Sequence, residues 1–167
     1  MDVRIRRARE SDLDAVGRIT VEAYVDDGFM AADDDYLDEL GDADRRAREA
    51  EVWVAVQDDE VLGSVTYCLP GTPFAELSRP GEGEFRMLAV ARSARRRGIA
   101  RALVLRCVAR SEELGHSAIV LCSLPEMTAA HRLYETLGFH RLPERDWSPA
   151  QGVSLIGFIR PLGGADR

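Results

Sequence analysis

The chain has 167 residues, a length that favours one domain or at most two small ones. Hydrophobic residues make up 46% and charged residues 31% of the sequence, a globular composition that argues against a disordered chain. The net charge of −7 argues against a general binder of nucleic acids or anionic membranes. No apolar run approaches the ~20 residues of a membrane span, and the first residues lack a signal core. We therefore expect a cytoplasmic protein that contacts neither nucleic acid nor membrane.

The first half of the chain predicts a strand, two helices and a hairpin. Alternation of apolar residues with arginines indicates a short strand at 3–5, and apolar residues at helical spacing indicate a helix over 13–23. A second helix is expected around residues 36–40. Two apolar runs at 52–56 and 61–69, joined by a short acidic turn, predict a hairpin.

The second half alternates strands with helices. The predicted elements are a mobile Gly- and Pro-rich loop at 71–83, strands at 84–90, 117–122, 139–142 and 153–160, and helices at 98–114 and 128–137. The order βααβββαβαββ predicts an α/β domain with a mixed central sheet of about six to seven strands flanked by about four helices. This single domain is expected to cover residues 1–162, with 163–167 as a flexible tail.

Charge is unevenly distributed along the chain. The acidic segment, residues 22–44, holds ten acidic residues and no basic one. The arginine segment, residues 86–110, holds eight arginines and no acidic residue. The sequence therefore predicts two regions of opposite charge, each with its own ligand.

Three consecutive arginines, Arg95, Arg96 and Arg97, precede Gly98 between a predicted strand and a predicted helix. A helix N-terminus carries about half a positive charge, so arginines there are unfavourable unless a bound anion compensates them. The first N–H groups of the helix point to the same place, and Gly98 and Ala100 allow a ligand to approach the backbone. This pattern predicts a pyrophosphate site. The alternative is a solvated basic turn.

These residues carry a resemblance to a known family. Residues 84–90 and 95–100 resemble the acetyl-CoA-binding segment of the GNAT superfamily of N-acetyltransferases, whose Arg/Gln-x-x-Gly-x-Gly/Ala pattern is met by Arg95, Gly98 and Ala100. Residues 130–139 resemble the family's later helix, with its tyrosine and Gly-Phe ending. The chain departs from the family where Ala91-Arg92 replaces Asp-Pro, and where Met127 replaces an asparagine.

The resemblance implies a mixed α/β fold and acetyl-CoA as the co-substrate, with no metal. It implies that the backbone of Leu88 and Val90 pairs with the pantetheine arm and that the N–H groups of 96–101 hold the pyrophosphate. The residues it places at acetyl-CoA are Leu88, Val90, Arg95, Arg96, Arg97, Gly98, Ile99, Ala100, Arg101, Met127 and Tyr134. The implied reaction is direct attack of an amine on the thioester, without an acyl-enzyme.

The same resemblance suggests the catalytic groups. The Val90 N–H is the candidate oxyanion donor, and Tyr134 is the candidate acid for the leaving thiolate. The alternative for Tyr134 is an aromatic side chain packed on the sheet. Glu84, at the start of its strand, is the candidate general base. The alternative for Glu84 is a solvated charge.

The acidic segment is expected to wall the acceptor site, because carboxylates attract a cationic amine. Tyr24, Phe29, Met30 and Tyr36 are the residues that would line an acceptor pocket. A solvated helix is the alternative. The expected acceptor is a small or cationic amine, and a peptide amino group stays open.

Two other classes of function compete with this one. They are a non-catalytic module that senses acetyl-CoA and a nucleic-acid-binding module that uses the arginines. The cysteines predict buried free thiols, and no histidine is tied by spacing to Cys122 or Ser123, which argues against a covalent intermediate. His116, His131 and His140 form no metal-ligand spacing. The resemblance leaves open whether two copies associate into a homodimer, as family members often do.

Overall fold

The computed structural model describes residues 2–163. In this part of the chain, the strands are β1 (Arg4–Arg7), β2 (Glu51–Gln57), β3 (Glu60–Cys68), β4 (Glu82–Val90), β5 (Ala118–Ser123), β6 (His140–Arg141), β7 (Trp147–Ala150) and β8 (Val153–Pro161). The α-helices are α1 (Leu13–Asp26), α2 (Tyr36–Gly41), α3 (Ala43–Glu49), α4 (Ile99–Glu113) and α5 (Thr128–Thr136). The predicted α/β class with a mixed sheet is confirmed.

Two elements differ from the sequence-based expectation. The region after α1 contains two short helices instead of one, because the Asp42 carboxylate accepts a hydrogen bond from the Arg45 N–H and starts α3. An additional strand, β7, pairs with β8 in the segment that contains Pro149. The strand was missed because proline has no N–H for strand pairing and rarely indicates a strand. It is tolerated in a short edge strand such as this one.

The described residues form two compact units. The first contains the described residues up to Tyr67 together with Met87–Arg106, and the second contains Cys68–Arg86 together with the described residues from Cys107 onward. A single domain over 1–162 stays a prediction. The tail expected at 163–167 lies, apart from Gly163, outside the described residues. Among the helices of residues 2–163, none combines the length and apolarity needed to cross a bilayer.

The first unit builds its sheet from β1, β2, β3 and the second half of β4. Strand β2 pairs antiparallel with β1 and with β3, and Asp58 and Asp59 make the hairpin turn with φ of 52° and 65°. The predicted apolar face of α1 is confirmed, since Leu13, Val16 and Ile19 are buried in a cluster with the valines of β2.

The second unit builds its sheet from the first half of β4, followed by β5, β8 and β6. Strand β4 pairs parallel with β5, with Glu82–Glu84 in register with Ala118–Val120. Strand β8 runs antiparallel to β5. Four aromatic rings form the packed centre of this unit. They are Phe85, Tyr134, Phe139 and Phe158.

Candidate functional site

The end of β4 presents backbone groups at one strand edge of the first unit. The Ala91 N–H donates to the Leu62 carbonyl of β3 at 2.8 Å. Successive N–H groups of a strand point to opposite edges, so the N–H groups of Leu88 and Val90 point away from β3. This is the direction that pairing with an added, extended ligand requires. The family resemblance implied such pairing for these two residues, and the pairing stays a prediction.

The turn after β4 opens onto the start of α4. Arg96 and Gly98 both adopt left-handed backbone conformations, with φ of 65° and 75°. The first hydrogen bond of the helix runs from the Ala102 N–H to the Gly98 carbonyl at 3.1 Å. The N–H groups of Ile99, Ala100 and Arg101 precede it in the first turn, where a helix supplies no acceptors of its own. Free N–H groups at a helix start suit an anion, and the pyrophosphate site stays a prediction.

Arginines of this turn are partly neutralised by the acidic segment. The Arg95 guanidinium donates to both oxygens of Asp27 at 2.9 and 3.1 Å, and Arg92 lies 3.5 Å from Asp26. Arg97 donates to the Gln57 side chain at 2.7 Å. These contacts were not predicted, and those with Asp26 and Asp27 join the acidic segment to the arginine segment.

The structure brings together three of the four residues predicted for the acceptor pocket. The N–H groups of Phe29 and Met30 donate to the Tyr24 carbonyl at 3.0 and 3.2 Å, because the chain reverses at Gly28 with φ of 77°. Tyr36 lies further along the chain at the start of α2. All four side chains are half-buried. Their role toward an acceptor stays a prediction.

The first unit also contains a cavity of about 430 Å³ that the sequence did not predict. Helices α1, α2 and α3 contribute to its lining, which includes Asp14, Arg18, Glu22 and Asp44 but none of the four predicted acceptor residues. Gly17 lines the cavity too, and a side chain there would collide with the Gly41 carbonyl.

In the second unit, Glu84 is fully buried and bound to backbone amides. Its Oε1 accepts the N–H groups of Glu76, Leu77 and Ser78 at 3.0 Å each, and its Oε2 accepts the Glu76 N–H at 3.2 Å. The exposed fraction of the residue is 0%. The alternative of a solvated charge is therefore wrong, while the role of general base stays a prediction.

A second carboxylate lies beside it. Glu76 Oε1 is 3.0 Å from the Arg86 Nε and 3.6 Å from the Cys122 Sγ. Burial raises the pKa of Cys122 to about 12, and the charge of Glu76 adds to the effect. Cys122 is therefore a neutral thiol at pH 7, which disfavours a role as nucleophile.

An ion pair anchors the segment after β6. Arg145 binds both oxygens of Glu82 at 2.6 and 2.9 Å and donates to the Leu77 carbonyl at 3.3 Å. Burial by itself would raise the pKa of Glu82, but hydrogen bonds from Arg145 and from the Arg79 N–H leave the pKa below its usual value. Glu82 thus stays ionised and paired at neutral pH.

Tyr134 lies on α5 with 5% of its surface exposed. Its ring meets Phe85 and Phe158 edge to face, with centroids 5.7 and 5.9 Å apart. Met127 immediately precedes α5, and its carbonyl accepts the His131 N–H at 3.1 Å. Packing on the sheet is therefore part of what Tyr134 does, and its role as acid stays a prediction.

Sequence spacing missed a contact between His131 and Ser123. The His131 Nε2 lies 3.0 Å from the Ser123 Oγ. Burial lowers the pKa of His131, which keeps its imidazole neutral at pH 7. Ser123 is 6% exposed and its hydroxyl also approaches the Leu124 carbonyl and the Met127 sulfur. A serine at a strand end followed by a histidine on the next helix was the available signal.

The sequence matches the Acetyltransferase (GNAT) family over residues 13–139. The chain belongs to this family, which confirms the predicted resemblance. Membership implies acetyl-CoA as the co-substrate and supports the prediction of an acyltransferase.

Three known proteins illustrate the similarity. Mycothiol acetyltransferase of Cellulomonas flavigena is 34% identical over 131 residues, covering 68% of this chain and 37% of that protein. N-acetylaspartate synthetase of Danio rerio is 36% identical over 96 residues, which cover 56% of this chain and 31% of that protein. The matches thus span about a third of the length of these curated relatives. A GCN5-related N-acetyltransferase from Kribbella flavida has a similar structure, with a TM-score of 0.70 and 29% sequence identity. The similarity covers 96% of this chain and 98% of that one.

Proposed function

We propose that this protein transfers an acetyl group from acetyl-CoA to a primary amine by direct attack, without an acyl-enzyme. The observation that carries the proposal is the continuous path from the strand edge at Leu88 and Val90 to the exposed start of α4. An extended amide-bearing arm suits the strand edge, and a pyrophosphate suits the helix start. Arg95, Arg96, Arg97 and Arg101 supply positive charge around these N–H groups.

The reaction needs a neutral amine, a donor for the developing oxyanion and a proton for the departing thiolate. Acetyl-CoA supplies the acetyl group as a thioester. The amine nitrogen bonds to the carbonyl carbon, the carbon–sulfur bond breaks, and the thiolate takes a proton from Tyr134. The proton that the product nitrogen loses returns to the tyrosinate. The Val90 N–H is the proposed oxyanion donor.

The neutral fraction of the amine present in water can serve as the nucleophile, so the proposed mechanism requires no strong base. Glu84 is given no step in it, because both of its oxygens accept amide N–H groups. The leaving thiolate is the more demanding group. A tyrosine pKa of ~10 lies close enough to a thiol's ~8.5 for proton sharing in the transition state.

The proposed acceptor is a small or cationic amine. Carboxylates of the acidic segment attract a cation, although they also raise the pKa of a bound amine and so oppose its deprotonation. The names of two relatives refer to mycothiol and to N-acetylaspartate, which are small molecules. The first observation favours a cationic acceptor, and the second favours a small one.

Two measurements test the proposal. Calorimetry with acetyl-CoA and no acceptor should give saturable one-site binding, and absence of binding would overturn the proposal. Release of CoA should then be followed with monoamines, polyamines, aminoglycosides, amino acids and N-terminal peptides, with product mass as confirmation. Binding without turnover on every class would favour the non-catalytic sensor, whereas turnover on peptides alone would favour a protein acceptor.

A further inference from the structure

Two polar side chains join the end of β5 to helix α5. The His131 Nε2 lies 3.0 Å from the Ser123 Oγ. Ser123 is the last residue of β5 and is 6% exposed, and His131 lies in the first half of α5. The strand and the helix both belong to the second unit. The pair therefore fixes one point of the helix against the strand that precedes it.

The acceptors around Ser123 decide which group of the pair donates. Its Oγ lies 3.3 Å from the Leu124 carbonyl and 3.6 Å from the Met127 sulfur, and neither of these groups can donate. If His131 donates to Ser123 and Ser123 donates to Leu124, the three groups share two hydrogen bonds, whereas the reverse direction gives one. Since burial lowers the pKa of His131, its imidazole is neutral at pH 7 and is assigned its single proton on Nε2.

The His131 ring also contacts two aromatic rings at the packed centre of the second unit. Its centroid lies 5.0 Å from that of Phe158 and 6.5 Å from that of Tyr134, and Phe158 meets Tyr134 edge to face at 5.9 Å. His131 and Tyr134 are three residues apart on α5, so they lie on the same side of the helix. A shift of α5 at His131 would therefore move Tyr134 as well.

The direction of the hydrogen bonds disfavours Ser123 as a nucleophile. Nucleophilic attack by a serine requires a base that accepts the hydroxyl proton. In the assigned arrangement the imidazole donates to Ser123 instead, and the hydroxyl proton points to the Leu124 carbonyl. The pair thus acts on the placement of α5 rather than on an acyl group, in agreement with a reaction that has no acyl-enzyme.

We propose that His131 and Ser123 are positioning residues that hold α5 on the end of β5 and so place the Tyr134 hydroxyl for proton transfer. The inference rests on the proposed acetyl transfer, in which Tyr134 protonates the leaving thiolate. Proton transfer needs donor and acceptor atoms within about 3 Å of each other, so a small displacement of the helix slows it. The pair therefore affects kcat more than it affects substrate binding.

The test compares Ser123→Ala and His131→Phe, which keeps a ring beside Phe158, with Ser154→Ala and His140→Phe at two exposed positions of the same unit. Ser123→Ala and His131→Phe should each lower kcat about tenfold, as expected for one lost positioning hydrogen bond, while KM stays within about threefold. The double variant should also lose about tenfold, because both substitutions remove the same contact. The two controls should keep the parental kcat.

Three readouts separate positioning from a general loss of stability. In a Tyr134→Phe background, Ser123→Ala should not lower kcat further, because the residue through which it acts is gone. Amide hydrogen exchange over 128–134 should be faster in Ser123→Ala and His131→Phe than in the parent and the controls. His131→Gln, which retains an N–H donor, should recover part of the rate, and the pH profile of its kcat should keep the parental shape.

Different results overturn the parts of the proposal. Additive losses in the double variant, or a further tenfold loss in the Tyr134→Phe background, would show that the pair does not act through Tyr134. Unchanged exchange over 128–134 in Ser123→Ala would overturn the anchoring of α5. An acetyl group on Ser123 in the intact-protein mass would make Ser123 a nucleophile, and loss of the acidic limb of the pH profile in both His131 variants would make His131 a base.

The proposed function and this inference fail separately. Absence of acetyl-CoA binding to the parent would overturn the proposed function, whereas hydrogen exchange tests the anchoring of α5 without turnover. If His131→Phe is insoluble, His131→Leu takes its place in every comparison, and Ser123→Ala, the smaller change, carries the same readouts.

Discussion

Asp27 and Arg95 form a two-point ion pair, with oxygen–nitrogen distances of 2.9 and 3.1 Å, that joins the end of α1 to the turn before α4. The Arg95 guanidinium is one of the groups proposed to face the cofactor's phosphates. Its charge is therefore shared between a carboxylate of the protein and the incoming anion. Because Asp27 would also repel that anion, we expect the pair to weaken cofactor binding.

Replacing Asp27 by Asn should strengthen acetyl-CoA binding by about threefold, since exposed ion pairs contribute less than ~1 kcal/mol. The effect should shrink as salt is added. Calorimetric titration at two salt concentrations measures it. Asp26→Asn is the matched control, because Asp26 pairs with Arg92, which is not among the residues proposed to contact acetyl-CoA. Weaker binding by Asp27→Asn would mean that Asp27 holds Arg95 in its binding position.

Gly98→Ala should weaken acetyl-CoA binding about tenfold or more, because the added methyl group stands where the pyrophosphate must approach the backbone. Gly98 has φ of 75° and open space where a Cβ would stand, so the cost of the substitution to folding is conformational strain of about 1 kcal/mol. Gly115→Ala is the control, since Gly115 follows the other end of α4 with φ of 73° and equally open space. Equal loss of binding in both variants would contradict the proposed site.

Tyr134→Phe should lower kcat by about a hundredfold while acetyl-CoA affinity stays within twofold, because general acid catalysis contributes 10²–10⁴. The ring contacts of Tyr134 survive in phenylalanine. CoA release under saturating substrates gives kcat, and calorimetry gives the affinity. Tyr67→Phe removes a hydroxyl from another buried tyrosine, on β3, and should leave kcat unchanged. Turnover by Tyr134→Phe at the parental rate would exclude the proposed acid.

Glu82→Gln should lower the free energy of unfolding at pH 7 by about 3 kcal/mol, because it leaves the half-buried Arg145 without its carboxylate. The pKa of Glu82 is lower in the folded state than its value of 4.5 in the unfolded chain. The ion pair therefore stabilises the protein at every pH above 4.5. That contribution is lost as pH falls through the folded pKa. Denaturant unfolding at pH 7 and pH 3 should show a smaller difference for Glu82→Gln than for the parent.

The elements, and the backbone conformation of the turn before α4, were predictable because their signals are local. Helix periodicity and the glycines that follow α4 and α5 lie within a few residues of the structure they specify. The Arg95–Ala100 turn is likewise a short stretch whose role depends on the helix directly after it. By contrast, the start of α3 depended on one side-chain cap at Asp42, which composition alone does not reveal.

The environment of the charged residues was not predictable, because their partners are distant in sequence. Arg95 and Asp27 are 68 residues apart, and Arg145 and Glu82 are 63 apart. A glutamate at a strand start reads as exposed unless the loop that covers it is known. Glu84 is therefore the residue for which the structure changed the interpretation most.

Glu84, Arg86 and Arg145 hold the backbone of residues 69–81, the loop between β3 and β4, and their contacts to it all fall at or after Phe74. Before them, Leu69 and Thr72 close a turn of their own, in which the Thr72 hydroxyl donates to the Leu69 carbonyl at 2.6 Å. Residues 70, 71 and 73 precede the anchoring contacts and lie around this turn, so exchanges there leave the anchors in place. We therefore expect a library randomised at positions 70, 71 and 73, with Thr72 kept, to give folded variants whose free energies of unfolding stay close to that of the parent.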